Sequence, residues 1–423
     1  MARGFFPLDE ELSLLPGPLT PRLVEDLVHL GTWMPFLLAA RNLGRFHSVQ
    51  VSEPSARRWT EKAGAALVAQ QAAEVERLIR EDVPPPQGPP VQQVSVDGAL
   101  VPVVGGAWTE VKSLAIGTVG ERVWEKDHWH VHTTAISYFS RCSDHLTFSH
   151  LASLETHRRA TATAGKVLGI VDGAEWEQDF LDDHCKDAVR ILDWGHATGH
   201  LAQAGQALFG AGTVALSAWL ETQLRELRHG EPERVLTALE KDIREFEGTD
   251  AAREEAHKHL AYLHGRRAQI RYAEFEAAGY PIGSGMIESG NKLVVEARMK
   301  GAGMHWAPSH INPLVALRAA ACSDYWDTTW PLIHQRLHQE RREQQQERRR
   351  QRRERKQKVN APVVSVSVPS CPTNARSACT LPPDTSPTPA KDRPRPSPNH
   401  PWRRSLIPPD QRHAPRPSAR TKL

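Results

Sequence analysis

Three acidic residues occupy positions that suit metal-dependent phosphodiester chemistry. Asp97 and Asp172 each follow an apolar stretch and precede a glycine, and Glu288 lies at the start of a helical pattern. Carboxylates that converge on one sheet edge repel one another unless divalent cations hold them, and Mg²⁺ prefers such oxygen ligands. Two ions about 4 Å apart can activate an attacking hydroxyl and stabilise the leaving oxygen of a phosphodiester. Such chemistry needs no activated serine or cysteine, and the sequence offers none.

Each of these residues also has a purely structural interpretation. An Asp-Gly pair after a strand is typical of a turn, and the helix dipole favours a glutamate in the first turn of a helix. Asp193 follows another apolar stretch and competes with Asp172. Glu296 lies on the same helix face as Glu288 and is the alternative third carboxylate.

The apolar pattern predicts the elements that position these residues. Stretches rich in Val, Ile and Thr, bounded by turn residues, indicate strands. The predicted strands cover residues 94–98, 99–104, 111–119, 131–139, 167–171 and 188–192, and a helix is expected over 146–164. The first strand is expected to end in a turn at Asp97-Gly98. This order predicts an α/β fold with a mixed sheet, in which ligands bind at the carboxyl ends of strands.

Helical patterns precede the sheet, and they predict that residues 1–90 form an N-terminal domain of three short helices. Thr20-Pro21 begins the first, residues 34–43 form the second, and Ser52 begins the third. The third carries Arg57, Arg58 and Lys62, which suits a helix-turn-helix DNA-binding domain. A helical module without DNA contact fits the same pattern. Prolines at 84–86 and 89–90 mark the end of this domain.

The net charge of +3 conceals two parts of opposite sign. Residues 336–423 include 21 basic and 7 acidic residues, whereas the first 335 residues include 32 basic and 43 acidic residues. We expect the two parts of a catalytic core at 91–196 and 279–335, with a helical insertion at 197–278. Residues 336–423 are expected to form a basic, disordered tail rich in Pro and Arg, in which residues 341–358 are either a solvated helix or disordered and residues 359–423 form no core. This tail is either a nonspecific DNA clamp or a passive extension.

Two further patterns exclude whole classes of protein. The five cysteines are scattered without CxxC spacing, which argues against a disulfide scaffold and a structural zinc site. No apolar run approaches the roughly 18 residues that a membrane span needs. We therefore expect a cytoplasmic protein without a membrane partner.

Six segments carry a family resemblance. They are RGFFPLDEELSLLPGPLTPRLVEDLVHLGTWMPF, VSVDGALVPVVGGAWTEVKSLAIG, SYFSR, VDGAEWEQDF, AVRILDWGHA and YPIGSGMIESGNKLVVEARMKGAGMHWA. Through them the chain resembles the ISKra-type insertion-sequence transposases, members of the DDE group with an RNase H-like core. The resemblance extends over about residues 3–334.

The resemblance implies a metal-dependent transposase that uses Mg²⁺, with Mn²⁺ able to substitute. By motif position, Asp97, Asp172 and Glu288 become the catalytic residues and metal ligands. The RNase H-like order places the second aspartate on the strand before the last, which favours Asp172 over Asp193. Asp193 and His196 then form a neighbouring auxiliary pair.

The implied partners are the DNA ends of the element and target DNA, bound by a homo-oligomer in a bacterial nucleoid. The expected DNA-contacting residues are Arg57, Arg58, Lys62, Lys292, Arg298, Lys300 and Trp306. Among them Trp306 is the candidate for stacking on a displaced base. The alternatives are a catalytically inactive DNA-binding regulator and a stand-alone RNase H-like nuclease. A simple nuclease needs neither the insertion nor the terminal helices.

Overall fold

Five strands form one mixed sheet in the computed structural model, which describes residues 19–125 and 128–359. They are β1 (Val91–Pro102), β2 (Trp108–Glu125), β3 (His128–Arg141), β4 (Lys166–Val171) and β5 (Val189–Leu192). Their order across the sheet is β3-β2-β1-β4-β5. The pairs β3–β2 and β2–β1 are antiparallel, whereas β1–β4 and β4–β5 are parallel. The predicted α/β fold with a mixed sheet is confirmed.

The first strand is longer than its sequence pattern predicts. β1 continues through Asp97 and stays paired with β2, so this aspartate lies within a strand and not at a turn. Val94 and Val96 face one apolar cluster, and Ala99 and Val101 face another on the opposite side. Because helices cover both faces of this central strand, the apolar residues change face at Asp97 and mimic a strand end.

One face of the sheet is covered by α4 (His145–Arg158) and α5 (Glu175–His184). Phe148 of α4 and Phe180 of α5 belong to the same buried cluster as Val94 and Val96 of β1. The helix expected over 146–164 ends at residue 158 and is followed by a 3₁₀ turn, Thr161–Thr163.

Residues 194–277 are helical, as the leucine spacing predicts. The helices are α6 (Trp194–Phe209), α7 (Val214–His229), α8 (Pro232–Glu245), α9 (Asp250–Gly265) and α10 (Tyr272–Ala277), with a 3₁₀ turn at Arg267–Gln269. Leu201, Leu239 and Leu263 are buried with residues of β4 and β5 in one cluster. These helices are therefore anchored on the parallel edge of the sheet.

The face of β1 that carries Ala99 and Val101 is covered by a broken helix. Its parts are α11 (Gly285–Gly290), a π-helical segment (Asn291–Glu296) and α12 (Ala297–Met299), and α13 (Pro308–Cys322) follows. The sequence predicts the helix over 286–300 but not its π-helical turn. Such turns are rare and occur frequently at functional sites.

Three helices precede the sheet: α1 (Pro21–Trp33), α2 (Phe36–His47) and α3 (Glu53–Glu81). The hydroxyls of Thr20 and Ser52 accept hydrogen bonds from the first turns of α1 and α3, at the predicted starts. The third helix has 29 residues, which corrects the expectation of three short helices. It is rich in Ala, Glu and Arg and contains no interior proline, so nothing in its sequence stops it earlier.

The N-terminal helices share a hydrophobic core with the last helices of the described chain. Leu27 and Leu67 are buried with Leu317 of α13 and Leu337 of α14 (Trp326–Val359). The described residues accordingly belong to one compact unit.

The last described helix takes one of the two forms expected for residues 341–358. The expected boundary at residue 335 falls inside α14, and residues 336–359 are helical. Residues 360–423 lie outside the described part of the chain. Among the described helices, α14 included, none combines the length and apolar character needed to span a membrane.

Gly64→Ala tests this shared core. A Cβ at Gly64 of α3 would overlap the carbonyl of Pro313 of α13, because the backbones of the two helices are in close contact at this point. We expect the free energy of unfolding to fall by about 1–3 kcal/mol, the usual cost of overpacking a core. Urea denaturation measures this change. Gly265→Ala is the control, because its added Cβ meets nothing within 4 Å. Equal stability of the two variants would contradict the close packing of α3 on α13.

Candidate metal centre

Three aspartates occupy equivalent positions on the three parallel strands. The paired residues nearest to them are Val94 with Gly169 and Val171 with Leu192. Continuing these registers sets Asp97 beside Asp172 and Asp172 beside Asp193. Neighbouring strands lie about 4.8 Å apart, so the register alone brings the three side chains close together.

Asp97 and Asp172 meet a third carboxylate, Glu177, in a cavity of about 380 Å³. One carboxylate oxygen from each of these residues lies within 4.8 Å of the other two. Glu177 is only 2% exposed, and its Oε2 accepts hydrogen bonds from the backbone N–H groups of Gly173 (2.9 Å) and Ala174 (3.0 Å). Oxygen donors at this spacing suit a hard divalent cation.

Glu177 is a residue that the sequence analysis missed. It lies in the first turn of α5, in the segment VDGAEWEQDF. A glutamate at the third helical position can reach back to the amides before the helix, which is the signal that would have placed it near Asp172.

Burial and mutual repulsion perturb this cluster. Burial, followed by the charge of Asp172, raises the pKa of Asp97 to about 6, against hydrogen bonds from Gly98 and Asn291 that lower it. Burial also raises the pKa of Glu177 to about 8, and the charge of Asp172 adds to this shift. The three carboxylates are therefore costly to ionise together without a cation.

The competitor Asp193 is committed to the backbone. It is 3% exposed; its Oδ2 accepts from the N–H of His196 (2.9 Å) and its Oδ1 from the N–H of Ser284 (2.6 Å). The carboxylate thus caps α6 and fixes the segment before α11. Asp172, by contrast, forms an ion pair with the imidazole Nε2 of His196 at 2.6 Å, and this bond raises the pKa of His196. Although Asp193, Asp172 and His196 also lie within 4.8 Å of one another, Asp172 has the freer oxygens.

Asn291 joins the π-helical segment to the centre. Its Nδ2 donates to Asp97 Oδ2 at 2.7 Å, and the N–H of Gly98 donates to Asp97 Oδ1 at 2.6 Å. Asn291 is 5% exposed, and its Oδ1 is buried without a hydrogen-bond partner. An unsatisfied buried oxygen beside three carboxylates is a further potential oxygen ligand.

The structure does not bring Glu288 into the cluster. Its side chain is exposed on α11, one turn before Asn291, and it belongs to neither group of adjacent ligand atoms in the described chain. The alternative Glu296 forms an ion pair with Lys300 at 2.6 Å. The broken helix that carries Glu288 therefore contacts Asp97 through Asn291 and not through Glu288.

The basic residues of α3 lie mainly at the surface. Arg57 and Arg58 are exposed, and Arg57 lies 3.8 Å from Glu61. The ammonium of Lys62 lies over the ring of Trp59, 5.8 Å from its centroid. Arg57 and Arg58 are accessible to a phosphate backbone, as the prediction requires. Lys292, within the π-helical segment, and Lys300, directly after α12, are exposed as well.

Two expected DNA contacts, Arg298 and Trp306, are corrected by burial. Arg298 is 2% exposed, donates to the carbonyl of Gly31 at 3.3 Å and lies over the rings of Phe36 and Trp306. Trp306 is 8% exposed and donates to the carbonyl of Met299 at 3.0 Å. Neither side chain presents a surface to DNA in this structure, because both fill the core between α2 and the π-helical segment.

Glu177→Gln tests the crowding of the carboxylates. In the folded protein the pKa of Glu177 is raised from 4.5 to about 8, so the folded chain binds more protons than the unfolded chain between these values. The stability of the metal-free protein should therefore decrease as the pH rises from 5 to 8. The decrease should be smaller in Glu177→Gln, measured by urea unfolding in EDTA.

The matched control is Glu175→Gln, an exposed glutamate in the same helical turn. It should follow the wild type at both pH values. If Glu177→Gln loses as much stability between pH 5 and pH 8 as the wild type does, the carboxylates are not crowded as described.

Comparison with known proteins assigns the chain to no family. No protein-family model matches the chain. No curated protein matches it. What the chain does is therefore inferred from the geometry of the centre and from the resemblance of its motifs.

Proposed function

We propose that this protein is a DNA transposase that cleaves and joins phosphodiester bonds at the ends of an insertion sequence. The observation that carries the proposal is that Asp97 of β1 and Asp172, which directly follows the neighbouring parallel strand β4, offer carboxylate oxygens within 4.8 Å of each other in one cavity. Paired carboxylates at a sheet edge are the arrangement that metal-dependent phosphodiester chemistry requires. The same two aspartates are the first two members of the DDE set by motif position.

The sheet supports the finer assignment to an RNase H-like core. Three antiparallel strands lead into two parallel ones in the order β3-β2-β1-β4-β5, with helices on both faces. The first aspartate lies on the central strand and the second follows the adjacent parallel strand. This is the order that the resemblance implies, and it agrees with Asp172 rather than Asp193 as the second ligand.

The donor set fits Mg²⁺ or Mn²⁺. Asp97, Asp172 and Glu177 offer hard oxygen atoms within 4.8 Å of one another, and the unpartnered Oδ1 of Asn291 lies on a residue bonded to Asp97. When bound, such ions stabilise the attacking and leaving oxygens of an in-line displacement. Burial, followed by the charge of Asp172, raises the pKa of Asp97 and Glu177, and a bound ion would favour the ionised form of both.

The chain's own residues then have distinct roles. Asp97 is oriented by Gly98 and Asn291, and Asp172 is free to exchange its ion pair with His196 for a cation. The third ligand has two candidates. The motifs favour Glu288, and the geometry favours Glu177, which already lies beside both aspartates.

Substitution of the aspartates tests the proposal directly. Purified protein and Mg²⁺ are incubated with duplexes taken from the DNA that flanks the gene, where inverted repeats are expected. Asp97→Asn and Asp172→Asn should each reduce strand cleavage and joining by about 10³-fold, because an ion worth several kcal/mol in the transition state is lost. Gel assays of labelled strands measure this, and titration calorimetry with Mn²⁺ measures the loss of metal binding.

The controls separate the remaining assignments. Asp187→Asn, at an exposed acidic position, should behave as the wild type. Between Glu177→Gln and Glu288→Gln, the variant that loses both metal binding and cleavage identifies the third ligand. Full activity of Asp97→Asn would refute the proposed centre. DNA binding without cleavage would instead indicate a regulator, and cleavage without joining a nuclease.

The basic end of α14 is the best candidate for nonspecific DNA binding. Every residue from Arg342 to Glu354 is exposed, and most are Arg, Gln or Glu. Deleting residues 341–423 keeps the buried Leu337 and removes this surface. Binding to unrelated DNA should weaken, and the slope of log K against log salt should flatten by about 0.9 for each phosphate that the helix no longer neutralises.

Fluorescence anisotropy at several salt concentrations measures this slope. Deletion of residues 360–423 alone is the matched control, since it leaves α14 complete. If the longer deletion leaves the slope unchanged, the exposed helix is a passive extension. DNA ends and target DNA remain the proposed partners, with a homo-oligomer assembled on them.

A further inference from the structure

A series of three hydrogen-bonded side chains leads from the cavity to the protein surface. His200 lines the cavity together with Asp97 and Asp172, and its Nδ1 lies 2.9 Å from Nδ1 of His259. The Nε2 of His259 lies 3.1 Å from Oε1 of Glu255. His259 is 3% exposed at its side chain, whereas the Glu255 side chain is 49% exposed. Within the described residues, none of these three side chains belongs to the groups of adjacent ligand atoms that define the metal centre.

The hydrogen bonds determine which of the imidazole nitrogens carry a proton. The Glu255 carboxylate, whose pKa is lowered mainly by the charge of Lys258, is ionised at neutral pH and can only accept, so His259 Nε2 donates to it. A neutral His259 then accepts at Nδ1, and His200 must donate through its own Nδ1. The remaining nitrogen of His200, Nε2, is left as an unprotonated acceptor on a residue that lines the cavity.

The ring of His200 is also held in orientation. It stacks on Tyr262 with centroids 3.7 Å apart and planes 7° apart. The hydroxyl of Tyr262 donates to the backbone carbonyl of Asp172 at 2.5 Å. The acceptor nitrogen is thereby fixed relative to the strand that carries the second aspartate.

We propose that His200 accepts the proton of the attacking hydroxyl and that His259 and Glu255 complete a relay for it. The proposal rests on the proposed phosphodiester chemistry and adds a proton path to it. Carboxylates held by cations are poor proton acceptors, so a nearby neutral imidazole supplies what the acidic cluster lacks.

Strand cleavage moves two protons and exchanges one bond at phosphorus. An oxygen of water forms a bond to phosphorus while the bond from phosphorus to the 3′ oxygen breaks. One water proton moves to Nε2 of His200, and the Nδ1 proton of His200 moves to Nδ1 of His259. The departing 3′ oxygen takes a proton from solvent, and the second water proton stays with the new phosphate. After the cleaved strand has left, the relayed proton returns along the same path to a water in the cavity, which restores the starting state. In joining, a 3′ hydroxyl replaces water.

His259 and Glu255 determine which residue carries the positive charge after the proton transfer. Burial is the main cause that lowers the pKa of His200 to about 4, so His200 transmits a proton rather than retaining it. The resulting imidazolium forms at His259, where the Glu255 carboxylate stabilises it. A carboxylate that orients a histidine and stabilises its charged form has the same role in the serine-protease triad.

The tautomer of His200 can be tested without any activity. Full-length protein labelled with ¹⁵N-histidine is compared with His200→Gln, so that the signals missing from the variant identify His200. Nitrogen chemical shifts should show a protonated Nδ1 and an unprotonated Nε2. A protonated Nε2 in the resting protein would overturn the relay, because the cavity would then face a donor.

Activity tests the transfer itself. His200→Gln should reduce cleavage by about 10²- to 10⁴-fold, and Glu255→Gln by about tenfold, with DNA and Mn²⁺ binding retained. Free imidazole should restore part of the activity of His200→Ala. The matched controls are His257→Gln and Glu254→Gln, exposed neighbours on α9, which should match the wild type.

The outcomes distinguish the relay from the proposed function. An active wild type with equally active His200→Gln overturns the relay alone. An inactive wild type overturns the proposed function and the relay with it. Loss of activity in His200→Gln together with loss of Mn²⁺ binding would make His200 a structural residue and also contradict the relay. Loss of activity with intact binding and rescue by imidazole supports it.

Discussion

The hydrogen-bond register among β1, β4 and β5 is the constraint on which the centre depends. It sets Asp97, Asp172 and Asp193 side by side on three parallel strands. A slip of one residue would turn Asp97 to the opposite face of the sheet, where the buried side chains of Val94 and Val96 now lie. The register is therefore held by apolar contacts on both faces of β1, and the carboxylates gain their proximity from a core that contains none of them.

Such proximity is tolerable because each carboxylate has a different partner. Asp193 gives both oxygens to backbone N–H groups, Asp172 pairs with His196, and Asp97 is bonded by Asn291. Glu177 accepts hydrogen bonds from two backbone N–H groups, yet burial, followed by the charge of Asp172, raises its pKa. Four acidic groups at one sheet edge thus divide into one structural cap and three potential ligands. The division follows from which oxygens the backbone already occupies.

The sequence predicts the parts of this arrangement that are local. Apolar runs that end at an aspartate locate β4 and β5, and residues 19–52 contain recognisable helix starts. It does not predict what depends on distant contacts. Trp306 and Arg298 look like surface residues until Phe36, more than 250 positions earlier, packs against both. Glu177 reads as a solvated helix start, because only the strand register shows that Asp97 lies beside it. The exposure of Glu288 likewise depends on how its helix lies across β1, which no local pattern specifies.

Two buried guanidinium groups connect the N-terminal helices to the helix that carries Glu288 and Asn291. Arg298 donates to the carbonyl of Gly31, and Arg318 donates to the carbonyls of Thr32 and Val294. Gly31 and Thr32 belong to the last turn of α1, whose carbonyls have no partner within the helix, so the two arginines satisfy them. Removing either partner would leave a buried charge or carbonyl uncompensated, which is strongly unfavourable. A displacement of α1 must therefore move the π-helical segment with it. Because Asn291 of that segment holds Asp97, the orientation of the first aspartate is coupled to the position of the N-terminal helices.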